Sequence, residues 1–168
     1  GNGHWCRLAA AHDFETFGLE YSLERAQWRV DGGFQTISEK ELENHQFDFI
    51  NTEQVFEHLN EPLNVLKNLR NRLSEKGVVR ISVPHGHQIE KKINNKDAWS
   101  AKKSSNLSLH AVRPLRHVNC FNGKSLNMMA EEAGLKPVNF SLNQQFNTSI
   151  GLIDTLKVPL RMAFHALN

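Results

Sequence analysis

The sequence predicts an α/β fold built on a doubly wound, mostly parallel sheet. Short apolar runs rich in strand formers alternate along the chain with stretches whose apolar residues recur every three or four positions. The segment from Phe47 to Pro84, FDFINTEQVFEHLNEPLNVLKNLRNRLSEKGVVRISVP, contains a whole strand–loop–helix–strand unit. Two strands joined through a helix normally lie parallel in one sheet. The unit therefore sets the loop Asn51–Pro62 at the carboxyl end of its first strand, where open α/β sheets bind ligands.

In chain order, Trp5, Leu8 and Ala9 mark a short helix launched from Gly1-Asn2-Gly3. Phe14–Glu20 reads as a strand ending in an acid, and Leu23–Val30 as a helix capped by Ser22. Asp31-Gly32-Gly33 is a turn before a short strand at Phe34–Ile37, and Ser38–His45 is a polar connection with room for one helical turn. Within the central unit Phe47, Phe49 and Ile50 form a strand. Leu59, Leu63, Leu66, Leu69 and Leu73 trace one helix face, with Pro62 in the first turn and Gly77 as the stop. Val78–Val83 is the second strand. Residues 85–117 are polar and basic, an excursion over the strand ends. Lys124–Ala133 is a helix stopped by Gly134, Lys136–Leu142 a strand, and residues 150–168 a terminal helix kinked at Pro159.

With 168 residues, 39% hydrophobic and 23% charged, the chain has the size and composition of one globular domain, 1–168. A net charge of +2 points to neither a nucleic-acid nor a membrane-surface partner, and a pI near 8.6 leaves only a mild attraction to anions. Cys6 and Cys120 lack metal-type spacing and fit reduced thiols in a cytoplasmic setting. No apolar run reaches transmembrane length.

Three groups of residues carry candidate chemistry. Gly1 and Gly3 flank a turn that lets a ligand approach the backbone. Glu20, at the end of the next strand, can hydrogen-bond both hydroxyls of a ribose. Thr52, Glu53, Gln54, Glu57 and His58 crowd the central loop, where helix capping is the competing role and the one assigned to Glu61. His85 and His87 are read as loop histidines, with substrate contact as the alternative. Trp99 and its lysines are read as a solvated surface, with a lid over an anionic substrate as the alternative.

Taken together, GNGHWCRLAA, FGLEYSLERA, the Phe47–Pro84 segment and RHVNCFNGKSLNMMAEEAGL resemble, in order, the motifs of class I S-adenosylmethionine-dependent methyltransferases. Glu57-His58-Leu59 is similar to the small-molecule branch. The resemblance implies a Rossmann-like fold that binds S-adenosyl-L-methionine and releases S-adenosyl-L-homocysteine. It places the donor on Gly1, Asn2, Gly3 and Glu20, the adenine near Tyr21, Ile37 and Ser38, and the methionine part against Asn51, Thr52 and Gln54. His58 and His117 are the implied bases, paired with Glu57, for methylation of an oxygen or nitrogen of a small or sugar-like acceptor. Glu57-His58 also resembles the Glu-x-x-Glu-His of metal-dependent members. Here Gln54 stands at the first Glu position, so a metal on Glu57, His58 and His117 is the less favoured reading.

The resemblance further implies a first, central strand ending just before Gly1, which the chain is expected to lack. Two strand edges would then close by rearrangement or through a second chain, giving an intertwined homodimer. The alternative function is a non-catalytic domain of the same fold, used for ligand binding or assembly. A nucleotide-sugar or nicotinamide enzyme is a third reading.

Overall fold

In the computed structural model the described residues are 3–20, 33–102, 105, 108–113, 115–138 and 160–166. The helix expected at Leu23–Val30, most of the strand expected at Lys136–Leu142, and Gly1, Asn2 and Tyr21 lie outside them. The chain divides into two units, Gly1–Gln46 and Phe47–Asn168.

In the first unit α1 (His4–Ala10) leads to β1 (Phe17–Leu19), which pairs in parallel with β2 (Gln35–Ile37) in the register Leu19 to Ile37. The single turn α2 (Glu39–Leu42) follows. Ser38 caps it: Glu41 donates its N–H to Ser38 Oγ and accepts the Ser38 N–H in return, a reciprocal capping box. α1 lies along the strand pair. Cys6 Sγ faces the Phe17 carbonyl and Ala10 Cβ packs beside Gly33, ahead of β2. The last turn of α1 is therefore at the amino end of the strands, and Gly3, with φ 70, opens the helix toward their carboxyl end.

The second unit is a four-stranded sheet in the order β3 (Phe47–Glu53), β4 (Leu73–Val83), β6 (Leu160–Ala166), β5 (Leu135–Pro137). β3 and β4 are parallel, as expected, while β6 runs antiparallel to both of its neighbours. The sheet is thus mixed. α3 (Pro62–Arg70) connects β3 to β4, and α5 (Gly123–Glu132) precedes β5. Leu66 from α3, Leu126 and Ala130 from α5, and Val79, Ile81 and Val83 from β4 close on Phe56, Phe121, Leu135 and Phe164 to make the core. Burial of each of these large apolar side chains contributes about 1.5–3 kcal/mol.

Four expectations are corrected. β3 continues through Glu53, so Asn51 and Thr52 lie on a strand and not in the loop. The helix between the strands covers only Pro62–Arg70, because Glu61 has non-helical backbone angles and Leu73 is needed opposite Phe47. Gly77 does not stop that helix; it lies inside β4, where a Cβ would come within 2.7 Å of the Phe47 carbonyl oxygen. This is where the register slips between Phe47 and Phe49, and only glycine lets the two backbones approach. Finally, Leu160–Ala166 is a strand and not the end of a terminal helix. β6 finds its hydrogen-bond partners across β4 and β5.

The excursion at 85–117 folds as α4 (Ile89–Ile93) and 3-10 turns at Lys96–Trp99 and His110–Val112. Among the described residues no helix is long and apolar enough to cross a membrane.

Candidate functional site

At the carboxyl end of β3 the chain leaves the sheet through Gln54, whose φ of 53 is left-handed for a non-glycine residue. Its N–H donates to the Ser82 carbonyl at 2.8 Å, pinning the strand end to β4. The next residues form a 3-10 turn, Phe56–His58, anchored by the fully buried Phe56 ring. The turn drives Glu57 inward, leaving it 1% exposed, and turns His58 outward.

The segment ahead of α5 is stitched onto this turn. Val118 and Asn119 donate their N–H groups to the Glu57 carbonyl at 2.9 and 3.1 Å, and the Asn119 amide donates to the Phe56 and Leu59 carbonyls. These bonds bring His117 to His58, the two rings meeting edge-on with centroids 5.0 Å apart. Ligand atoms of Glu57, His58 and His117 all lie within 4.8 Å of one another.

Both imidazoles are oriented in the same way. His58 Nδ1 donates to the Arg116 carbonyl and His117 Nδ1 to the Ala111 carbonyl at 3.4 Å. A carbonyl only accepts, so each Nδ1 carries a hydrogen and each neutral ring keeps its lone pair on Nε2. His58 Nε2 lies 3.8 Å from Glu57 Oε1. His110 stands edge-on to the other side of His117, at 5.5 Å.

Glu57 is the unusual member. Neither of its carboxylate oxygens accepts a hydrogen bond from the described residues. Burial raises its pKa above the ordinary value, opposed by its backbone hydrogen bonding and by the charges of His58 and His117. A buried carboxylate without hydrogen bonds is costly, and a nearby cation or a proton relieves the cost. The group can thus hold a proton taken up by an imidazole or offer two nitrogens and one oxygen to a divalent cation.

The residues expected to bind the donor fall in both units. In the first, Glu20 and Ser38 are the residues immediately past the paired Leu19 and Ile37, so both sit at the carboxyl edge of the strand pair. Ser38 Oγ is engaged with Glu41 at 2.7 Å, and Ile37 is buried. A cavity of about 330 Å³ in this unit, lined by Phe14, Thr16, Gly33 and Gln35 among others, is at the opposite, amino end of the strands. In the second unit Asn51 Oδ1 accepts from Arg80, Thr52 Oγ1 donates to the Arg80 carbonyl at 3.2 Å, and Gln54 Nε2 donates to the Ser82 carbonyl at 3.4 Å. Their side chains therefore help hold β3 against β4. Sequence reasoning missed Asn119, which holds the turn, and His110, which backs His117; neither has a local spacing that marks it.

The strand pair of the first unit carries an acid and a serine at its carboxyl edge, and in the second unit a polar cluster follows the carboxyl end of β3; α/β folds bind ligands at such strand ends. Residues 1–139 match the model of a methyltransferase domain, and the chain belongs to that family. No curated protein sequence matches it. Among solved structures, the CcbJ methyltransferase from Streptomyces caelestis is 12% identical with a TM-score of 0.66, the match covering all of this chain (100%) and 81% of that one. A pericyclic reaction enzyme is 14% identical with a TM-score of 0.57, and the match covers 99% of this chain but 41% of that one. NcsB1, an O-methyltransferase from neocarzinostatin biosynthesis solved with S-adenosyl-L-homocysteine and 1,4-dihydroxy-2-naphthoic acid, is 12% identical with a TM-score of 0.59; the match covers 95% of this chain and 44% of that one. This chain thus spans less than half the length of two of these proteins, and at such identities the likeness establishes the fold.

Proposed function

We propose that this chain is the core of an S-adenosylmethionine-dependent methyltransferase that methylates an oxygen or nitrogen of a small-molecule acceptor. The observation that carries the reading is the buried Glu57 carboxylate, without a hydrogen bond among the described residues, beside two imidazoles whose Nδ1 atoms are held by backbone carbonyls. Bound S-adenosyl-L-methionine supplies a methyl group already activated on a sulfonium. What the chain must add is alignment of the nucleophile and removal of its proton. His117 or His58 takes that proton at Nε2, and the Glu57 carboxylate stabilises the imidazolium that results. Gly1, Asn2, Gly3, Glu20, Tyr21, Ile37 and Ser38 are assigned to the donor, with the Asn51–Gln54 strand end. The left-handed φ of Gly3 and the position of Glu20 past β1 support that assignment.

A second reading has a specific observation behind it. The same three side chains fit a divalent cation: the Nδ1 atoms of both histidines are held by backbone carbonyls, the arrangement that orients metal-ligating imidazoles, and the carboxylate accepts no hydrogen bond from the described residues. Two nitrogens and one oxygen favour zinc or a transition metal over magnesium. We also place the chain in a homodimer, a second copy pairing along β3, the terminal strand of its sheet. Cys6 and Cys120 are not joined in a disulfide, which is in keeping with a cytoplasmic setting.

The deciding experiment is calorimetric titration with S-adenosyl-L-homocysteine. Saturable binding in the micromolar range, lost in Glu20→Ala, is the expected outcome. Absence of heat across that range removes the methyltransferase reading and leaves a non-catalytic domain of the same fold.

A further inference from the structure

The carboxyl end of β4 carries a group of side chains that the proposed transfer site does not use. Beyond Pro84, His85 forms a parallel bridge with Phe121, and the Gly86 N–H donates to the Phe121 carbonyl at 2.7 Å. A Cβ on Gly86 would come within 2.5 Å of Cys120 Sγ and 2.8 Å of the Phe121 carbonyl oxygen. The backbone here is clamped, and the two histidines on either side of Gly86 are fixed with it. Gln88, at φ 54, then opens α4, whose Lys92 N–H donates to the Gln88 carbonyl.

The outcome sets two imidazoles beside one another in a segment rich in lysine. The His85 and His87 rings lie with centroids 5.5 Å apart, tilted by 34°. Lys92 is near enough that it acts electrostatically on both His85 and the Cys120 thiol. Partial burial, then the charges of His87 and Lys92, hold the His85 imidazole below its ordinary pKa. Among the described residues no carboxylate pairs with any of the three. Glu90 and Asp97 are the only acids between residues 85 and 117, against seven lysines and arginines. Over the rest of the chain thirteen lysines and arginines face sixteen acids, so the positive charge is confined to this segment. Like charges crowded without a counter-ion repel one another, and an anion set among them removes the repulsion. Because β3 and β4 are parallel, this group and the Glu57 cluster share the carboxyl edge of the sheet, where α/β folds bind ligands.

We propose that His85, His87 and Lys92 form an anion-binding subsite and that it takes an acidic group of the methyl acceptor, a phosphate or a carboxylate. Its assignment to the acceptor rests on the methyltransferase reading; the anion site itself does not.

The test is an NMR titration of the 168-residue chain with sulfate, which keeps its charge across the neutral range, following the imidazole Cε1–Hε1 signals. The His85 and His87 signals should shift saturably, and more tightly at about pH 6 than at about pH 8, because imidazolium is the binding form. Lys92→Gln should weaken sulfate about fivefold, while Lys91→Gln, exposed on the same helix, should change it less than about twofold. No saturable shift, or equal weakening by the two lysine variants, overturns the subsite. Separate titrations with inorganic phosphate and acetate then decide the acidic group by which binds tighter. Sulfate binding in a chain that gives no heat with S-adenosyl-L-homocysteine overturns the assignment to a methyl acceptor. Heat without a sulfate response overturns the subsite and leaves the transferase reading standing.

Discussion

Glu57 carries a conflict between stability and use. Its carboxyl is held above the ordinary value of 4.5, first by burial. The native state therefore binds this proton more tightly than the unfolded chain does. The stabilising contribution is fully present below the unfolded value and is lost as pH rises through the native value. Once ionised, the group is a buried charge that accepts no hydrogen bond from the described residues. Glu57→Gln keeps the shape and removes the charge. The variant should be more stable than the parent by about 1–2 kcal/mol at about pH 8, with the difference narrowing toward pH 4.5. Urea unfolding at the two pH values measures it. Equal stability at about pH 8 would mean that a cation already compensates the carboxylate. In the proposed site this would be charge placed for chemistry at a cost in folding energy.

At the scale of elements, the glycines separate packing from propensity. Gly77 sits where β3 and β4 change register, with 2.7 Å between a built Cβ and the Phe47 carbonyl oxygen. Gly123, the first residue of α5, has nothing within 4 Å of a built Cβ. Gly77→Ala should cost about 1–3 kcal/mol through forced separation of the strands. Gly123→Ala should be neutral or stabilise by up to about 1 kcal/mol. Thermal melts of the two variants test both, and a harmless Gly77→Ala would refute the tight register. The same contrast explains what the sequence could tell. Leu63, Leu66 and Leu69, Pro62 at the helix start and Gly134 at the end of α5 are local signals, and each sits where its pattern placed it. Gly77 was ambiguous, because a glycine after a leucine stripe reads as a stop, and only the partner strand reveals the close approach. The strand at Leu160–Ala166 was legible in the alternation Leu160, Met162, Phe164 after Pro159, but the apolar run ahead of it hid that period. The meeting of Glu57-His58 with His117 depends on hydrogen bonds between segments 60 residues apart in the chain, as from Asn119 to Leu59. No local spacing encodes that contact, so the family motif supplied it.

At the scale of the whole molecule, β3 has the composition of an inner strand and the burial of an outer one. Phe47, Phe49 and Ile50 lie in it, yet none of its seven residues is buried, and Phe49 is 53% exposed. Its neighbour β4 buries Val79, Ile81 and Val83 completely. Parallel strands of α/β sheets are normally covered on both faces, and a terminal strand rich in apolar residues is a template for further pairing. The proposed dimer follows from that contrast: among the described residues only β4 pairs with β3, and a strand of a second copy beside it would extend the ladder and cover Phe49. Light scattering on the purified chain should then report about twice its 19.2 kDa mass. Phe49→Lys places a charge on the exposed face of the terminal strand, the device by which natural sheets prevent such pairing, and should return the chain to a monomer. Phe49 is half exposed, so a thermal melt of the variant separates loss of pairing from loss of folding. A parent chain that scatters as a monomer would dismiss the second copy and leave β3 a solvent-facing edge.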